Sequence, residues 1–233
     1  MPISCQGMTL APKNRRQRIT TLAYLALLLV PTLSACSGQQ ASAAAVATAL
    51  QPSEDGFSFA NFPSSSFPDV NFDERDLIEM FGSDGGVCVD GISNPCVLTA
   101  EAAAWAQMIN QARASGHCVG LAAIAALRFN EQSNPKTVQL AQDEGTIRAV
   151  SRAFATQFLP EVQQETSNWL AKNLYEKVQA LEESFKKGTI DYTLGLYSPN
   201  GGHAVTPFAV EYHQRMSLES WCMTQIGRGE IGM

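Results

Sequence analysis

The hydrophobic period of the chain changes at Gly188, and that change limits the folds open to it. From Ala100 to Lys187 apolar residues recur at three- and four-residue spacing, whereas beyond Gly188 they alternate. A helix buries a stripe and a strand buries one face, so segregated runs of the two kinds predict an α+β domain, helices first and an antiparallel sheet second. Thr99 is placed to cap a helix over 100–114, in which Ala103, Ala104, Met108 and Ile109 recur at helical spacing; Ser115-Gly116 breaks it. A second helix runs from Cys118 to Phe129 and is apolar on most faces, which predicts a central, buried position. A third covers 137–158. Pro160 suits the first turn of a long amphipathic helix reaching Lys187, with Val162, Leu170, Leu174, Val178, Leu181 and Phe185 as its stripe. Two strands, 189–197 and 203–212, then flank Ser198-Pro199-Asn200-Gly201-Gly202, a turn-rich link that predicts a hairpin.

The N-terminal part has another character. Arg15, Arg16 and Arg18 precede an apolar run from Leu22 to Leu33, the pattern of a secretory signal and too short for a settled membrane span. Leu33-Ser34-Ala35-Cys36, followed by Ser37-Gly38, resembles the lipobox of bacterial lipoproteins, which implies removal of residues 1–35 and acylation of Cys36. The expected location is the extracytoplasmic face of a bacterial envelope, with the membrane as a partner through the lipid. Without residues 1–35 the chain keeps 12 basic against 22 acidic residues, a net charge of about −10 that repels phosphate backbones and argues against nucleic acid as a partner. Residues 36–68 are rich in Ala, Ser, Gln, Pro and Gly with isolated Phe, and predict a disordered tether. Residues 69–212 form the expected domain, long enough for a real core, and 213–233 an atypical tail.

Of six cysteines, Cys5 belongs to the signal and Cys36 to the lipid. Cys88 and Cys96 flank the turn-rich Val89-Asp90-Gly91-Ile92-Ser93-Asn94-Pro95, and export permits a disulfide between them. A loop this short would stabilise by about 2–3 kcal/mol. Cys118 and Cys222 are left, either both as thiols or paired with each other. No Cys or His set lies at zinc-ligand spacing, and no cofactor is expected.

Two motifs carry chemistry: Gly116-His117-Cys118-Val119-Gly120 and Gly201-Gly202-His203-Ala204-Val205. A cysteine at the first turn of a helix sits where unpaired backbone N–H groups and the positive end of the dipole favour a thiolate. The same N–H groups can hold an oxyanion when an acyl carbon is attacked. Gly116 and Gly120 would let a substrate backbone come close. His203, at the start of an apolar strand, is placed to act as base if that strand packs on the helix. His117 would then point away and be structural.

This order resembles the papain-like cysteine peptidase superfamily, in which a helix-opening cysteine precedes a strand-opening histidine by a distance compatible with the 85 residues here. The resemblance spans about residues 97–212 and implies Cys118 as nucleophile, His203 as general base and Gln111, before the cysteine, as oxyanion-hole residue, with a peptide or protein as substrate. The chain departs from the pattern after His203: residues 204–233 contain no Asn and no Asp to orient the imidazole, which leaves a truncated papain-like arrangement or an inactive relative. A non-catalytic lipoprotein domain that binds or scaffolds is the competing reading. Bacterial cell-wall endopeptidases and amidases share the Cys-helix and His-strand order but would want a third polar residue, often His, on the strand after His203, and the only later histidine is His213.

Overall fold

A computed structural model describes residues 45–212, apart from Gly85, Ser93 and Asn200. The signal segment, Cys36, the first part of the tether, and the tail with His213 and Cys222 lie outside the described residues. Along the described chain run β1 (Ala45–Ala47), α1 (Pro52–Asp55), α2 (Glu74–Phe81), α3 (Ala100–Ala112), α4 (Cys118–Asn130), α5 (Glu144–Ala155), α6 (Pro160–Ala171), α7 (Leu174–Lys186), β2 (Leu194–Ser198), β3 (Gly201–Val205) and β4 (Ala209–Glu211). The architecture is α+β: helices carry the core, and the strands form two antiparallel pairs, β1 with β4 and β2 with β3.

Local signals start the helices that position the site. Thr99 Oγ1 accepts from the Ala102 N–H at 3.2 Å and opens α3, while Asp143 Oδ1 accepts from the Thr146 N–H at 2.8 Å and opens α5. Helix α5 therefore covers only part of the 137–158 stretch, with separate 3₁₀ turns at Thr137–Gln139 and Thr156–Phe158. Helix α4 packs along α5. Gly120 makes this crossing possible, because a Cβ there would lie 2.1 Å from the Val150 carbonyl oxygen. This corrects the expectation for Gly120: its missing side chain admits a neighbouring helix, not a substrate.

The long helix expected from 160 to 187 is two. Helix α6 ends at Ala171, and α7 starts afresh behind Asn173, whose side chain accepts from the Glu176 N–H at 3.0 Å while the Glu176 carboxylate accepts from the Asn173 N–H at 2.7 Å. The stripe splits accordingly. Val178, Leu181 and Phe185 are buried against Val210, whereas Leu170 and Leu174 are 64% and 52% exposed, and Trp169 is the residue of α6 that packs inward, on Tyr192.

The expected hairpin forms with Leu196 opposite His203 and Ser198 opposite Gly201. Its second strand does not continue to Tyr212: the chain leaves after Val205, and Ala209–Glu211 pairs instead with Ala45–Ala47. The tether assignment is thereby corrected for its second half. Residues from Ala45 onward are built into the fold, because Val46 meets the α7 cluster, Leu50 packs with Ala126 and Ile190, and Phe62 packs with Ile147 and Val150. The Cys88–Cys96 disulfide is formed, and Cys88 lies buried in the cluster of Phe72, Leu77, Ile109 and Phe154.

A buried charge network ties α2 to α5. Asp76, fully buried, accepts from Arg148 at 2.7 Å and Arg152 at 2.9 Å, and Arg148 also reaches Asp73 at 3.1 Å and Glu144 at 2.8 Å. Burial pushes the Asp73 carboxyl up, but hydrogen bonds from Arg75 and Arg148 outweigh it and hold the group below its ordinary value of 3.8.

Candidate functional site

Cys118 is the first residue of α4, half-buried, with a free thiol. The turn before it is tightly determined. Gly116 has φ +126°, a conformation that disfavours a side chain, and a Cβ there would lie 2.6 Å from Asn61 Nδ2. The His117 N–H donates to Asn61 Oδ1 at 2.7 Å. Gly116, like Gly120, thus serves the chain's own packing.

His117 is fully buried, as expected of a structural residue. Its ring stacks on Phe62 with centroids 4.5 Å apart and has Phe154 on another side at 5.7 Å. Arg113 Nε donates to Nε2 at 2.8 Å, so Nε2 is the acceptor; Nδ1 then carries the proton and donates to the Phe62 carbonyl at 2.7 Å. Burial is the main force holding the imidazole below its ordinary value of 6.5, opposed by the Phe62 carbonyl and reinforced by the charge of Arg113. Arg113, 1% exposed, spends its other nitrogens on Asn110 Oδ1 at 2.8 Å and the Val70 carbonyl at 3.0 Å. None of its hydrogen-bond partners is a carboxylate.

His203 lies on the exposed part of β3. The strand packs against α4, and just beyond it the Thr206 hydroxyl donates to the Ala122 carbonyl at 3.0 Å, one helical turn after Cys118. The nucleophile candidate and the base candidate are therefore carried by two elements in contact. Among the described residues no hydrogen bond joins the Cys118 thiol to the His203 ring, and none orients that ring from a carboxylate or amide. Gln111 is exposed in the last turn of α3, ahead of the Arg113–Ser115 turn that separates it from Cys118.

An open concavity of about 410 Å³ on the hairpin is lined by Leu196, Tyr197, Ser198, Gly201, Gly202 and His203. Cys118 does not line it. The Tyr197 ring lies against the backbone of Gly195 and Gly202, where a Cβ would come within 2.8 Å and 3.0 Å of ring atoms. Among the described residues no group of three His, Cys, Asp or Glu side chains is placed to hold a metal ion.

The residues that sequence reasoning missed are Asn61, Phe62 and Arg113, which fix the entry to α4. Phe57, Phe59, Phe62 and Phe67 were the available signal: four aromatic rings in eleven residues are too many for a solvated tether, and here they form successive ring contacts that end on His117. Searches of family models, curated proteins and solved structures give no match to this chain.

Proposed function

We propose that this chain is a papain-like thiol hydrolase, acting on peptide or isopeptide bonds and held at the outer face of a bacterial membrane by a lipid on Cys36. The observation that carries the reading is the free thiol of Cys118 at the first position of α4, with β3, the strand bearing His203, packed on the same helix. In this chemistry His203 takes the Cys118 proton and the thiolate attacks the carbonyl carbon, moving an electron pair onto oxygen. Backbone N–H groups of the first turn of α4 hold that oxyanion. Collapse expels the amine, which takes its proton from His203, and leaves a thioester on Cys118. Water, deprotonated by His203, then releases the acid. The β2–β3 concavity beside His203 offers a surface for substrate on the base side, and Gln111 would have to move to serve the oxyanion.

One observation favours the non-catalytic alternative, a lipid-anchored binding domain: the exposed His203 ring lacks an orienting partner among the described residues. Acyl trapping separates the two. With p-nitrophenyl acetate the full chain should gain one acetyl group on Cys118, read by peptide mass; the same peptide of Cys118→Ala should gain none, and His203→Ala should acylate there slower by roughly 10²-fold or more. Equal acylation of wild type and His203→Ala would leave the binding-domain reading in place.

A further inference from the structure

We propose that the buried Arg113–His117 pair is an acid-sensitive latch on the helix that carries Cys118, holding the turn of the nucleophile in place while His117 is neutral and releasing it when the ring gains a second proton. This regulation rests on the reading of Cys118 as nucleophile.

The latch follows from which atoms donate. In the neutral ring Nε2 accepts the Arg113 Nε–H at 2.8 Å and Nδ1–H donates to the Phe62 carbonyl at 2.7 Å, so both nitrogens are used and one proton is all the site admits. A second proton must go on Nε2. It would set N–H against N–H and one cation against another inside a site where His117 and Arg113 are 0% and 1% exposed.

No neighbour compensates. From the turn before α4 the imidazole faces the Arg113 guanidinium; from the segment before α2 it faces the Phe62 ring and carbonyl, and the amide of Asn61 holds its backbone; from α5 it faces the Phe154 ring. The Cys118 thiol follows it in the chain. Asp76 and Arg148 influence Arg113 through space, with opposite signs, and neither hydrogen-bonds to it.

Relief requires Arg113 or His117 to leave its place, and both are knots between distant segments. Arg113 holds the Val70 carbonyl and Asn110 Oδ1, and Asn110 in turn accepts from the Phe72 N–H at 2.9 Å and donates to the Phe72 carbonyl at 2.8 Å. His117 holds the Phe62 carbonyl and sits at the cap position of α4. Freeing either loosens residues 61–72 from the corner between α3 and α4, and with it the first turn that presents Cys118. Because the folded state favours the neutral ring, the latch contributes its full stability above the ordinary histidine value of 6.5 and loses it as pH falls through the lower folded value.

The test is amide hydrogen exchange on the full chain at about pH 7 and about pH 5, corrected for chemical exchange, with the Cys118 alkylation rate measured on the same samples. Wild type should lose protection by roughly tenfold or more at pH 5 in peptides covering 57–72 and 113–121, with its Cys118 alkylation rate matching that of His117→Gln at pH 7 and departing from it at pH 5, whereas His117→Gln should hold its protection. Gln is chosen because its Oε1 can accept from Arg113 and it does not titrate. Equal protection at both pH values in wild type, equal loss in His117→Gln, or an opening at pH 5 that leaves the Cys118 alkylation rate equal to that of His117→Gln would each overturn the latch. If His117→Gln does not fold, the wild-type ring decides by nitrogen NMR: protonation at Nδ1 and titration below the ordinary value support the proposal, and titration at or above it contradicts it. Failure of the hydrolase reading shows separately, as the absence of acyl transfer to Cys118 at pH 7.

Discussion

A single carbon atom at position 120 has nowhere to go. Helices α4 and α5 approach so closely there that a methyl group would overlap the Val150 carbonyl, with Phe154 backbone and side chain at 3.0 Å and 3.1 Å behind it. Gly120→Ala should therefore push the helices apart and cost about 1–3 kcal/mol, read as a lower urea midpoint at unchanged m-value, although alanine is the better helix former. The same reasoning applies to Arg113, whose charge is satisfied by neutral acceptors alone. Arg113→Met removes the donor to His117, Asn110 and Val70 and leaves His117 Nε2 buried without a partner; the expected loss is about 1–3 kcal/mol, together with a weaker pH dependence of stability between about pH 7 and pH 5. Measuring thermal unfolding of both proteins across that interval checks it.

Between α2 and α5 the connection is electrostatic. Asp76 of α2 is fully buried under Arg148 and Arg152 of α5, so Asp76→Ala leaves Arg148 with Asp73 and Glu144 and removes the carboxylate that Arg152 donates to, and should cost about 3–5 kcal/mol in chemical unfolding. Acid acts on the same joint by another route. Asp73 titrates below its ordinary value of 3.8 in the folded state, so its contribution is present above that value and is lost as pH falls through the folded one. Elements whose signals are local were legible in the sequence: the Thr99 cap of α3, the start of α4 at Cys118, and the Cys88–Cys96 loop. The division between α6 and α7 was not, because Leu170 and Leu174 keep the helical spacing across it; Asn173 and Glu176, a capping box inside that spacing, were the competing signal. Strand β4 was misjudged for a different reason. Pro207, which cannot donate to a ladder, marks the break after β3, but no local signal names Ala45–Ala47, more than 150 residues earlier, as the partner of Ala209–Glu211.

At the scale of the molecule, the segment from Ala45 to Phe72 is the piece that composition misplaced and structure restores. It supplies an edge strand for β4, a wall for α4 and the acceptors that fasten Arg113 and His117. The elements that cover it, α4, α5, α7 and β4, are remote in sequence, so its run of phenylalanines was the local hint of burial. Of the candidate site, the helix-opening Cys118 and the hairpin bearing His203 were readable from Gly-flanked motifs at helix and strand starts, while their packing together depends on long-range contacts such as Thr206 to Ala122. Whether Cys118 and His203 work as a pair is read from the iodoacetamide alkylation rate of Cys118 in the full chain at neutral pH, followed by peptide mass, against His203→Ala. A working pair gives a rate above that of an ordinary exposed thiol that falls by roughly tenfold or more in the variant. A slow rate that the substitution leaves unchanged, or a mass showing Cys118 bridged to Cys222, would contradict it.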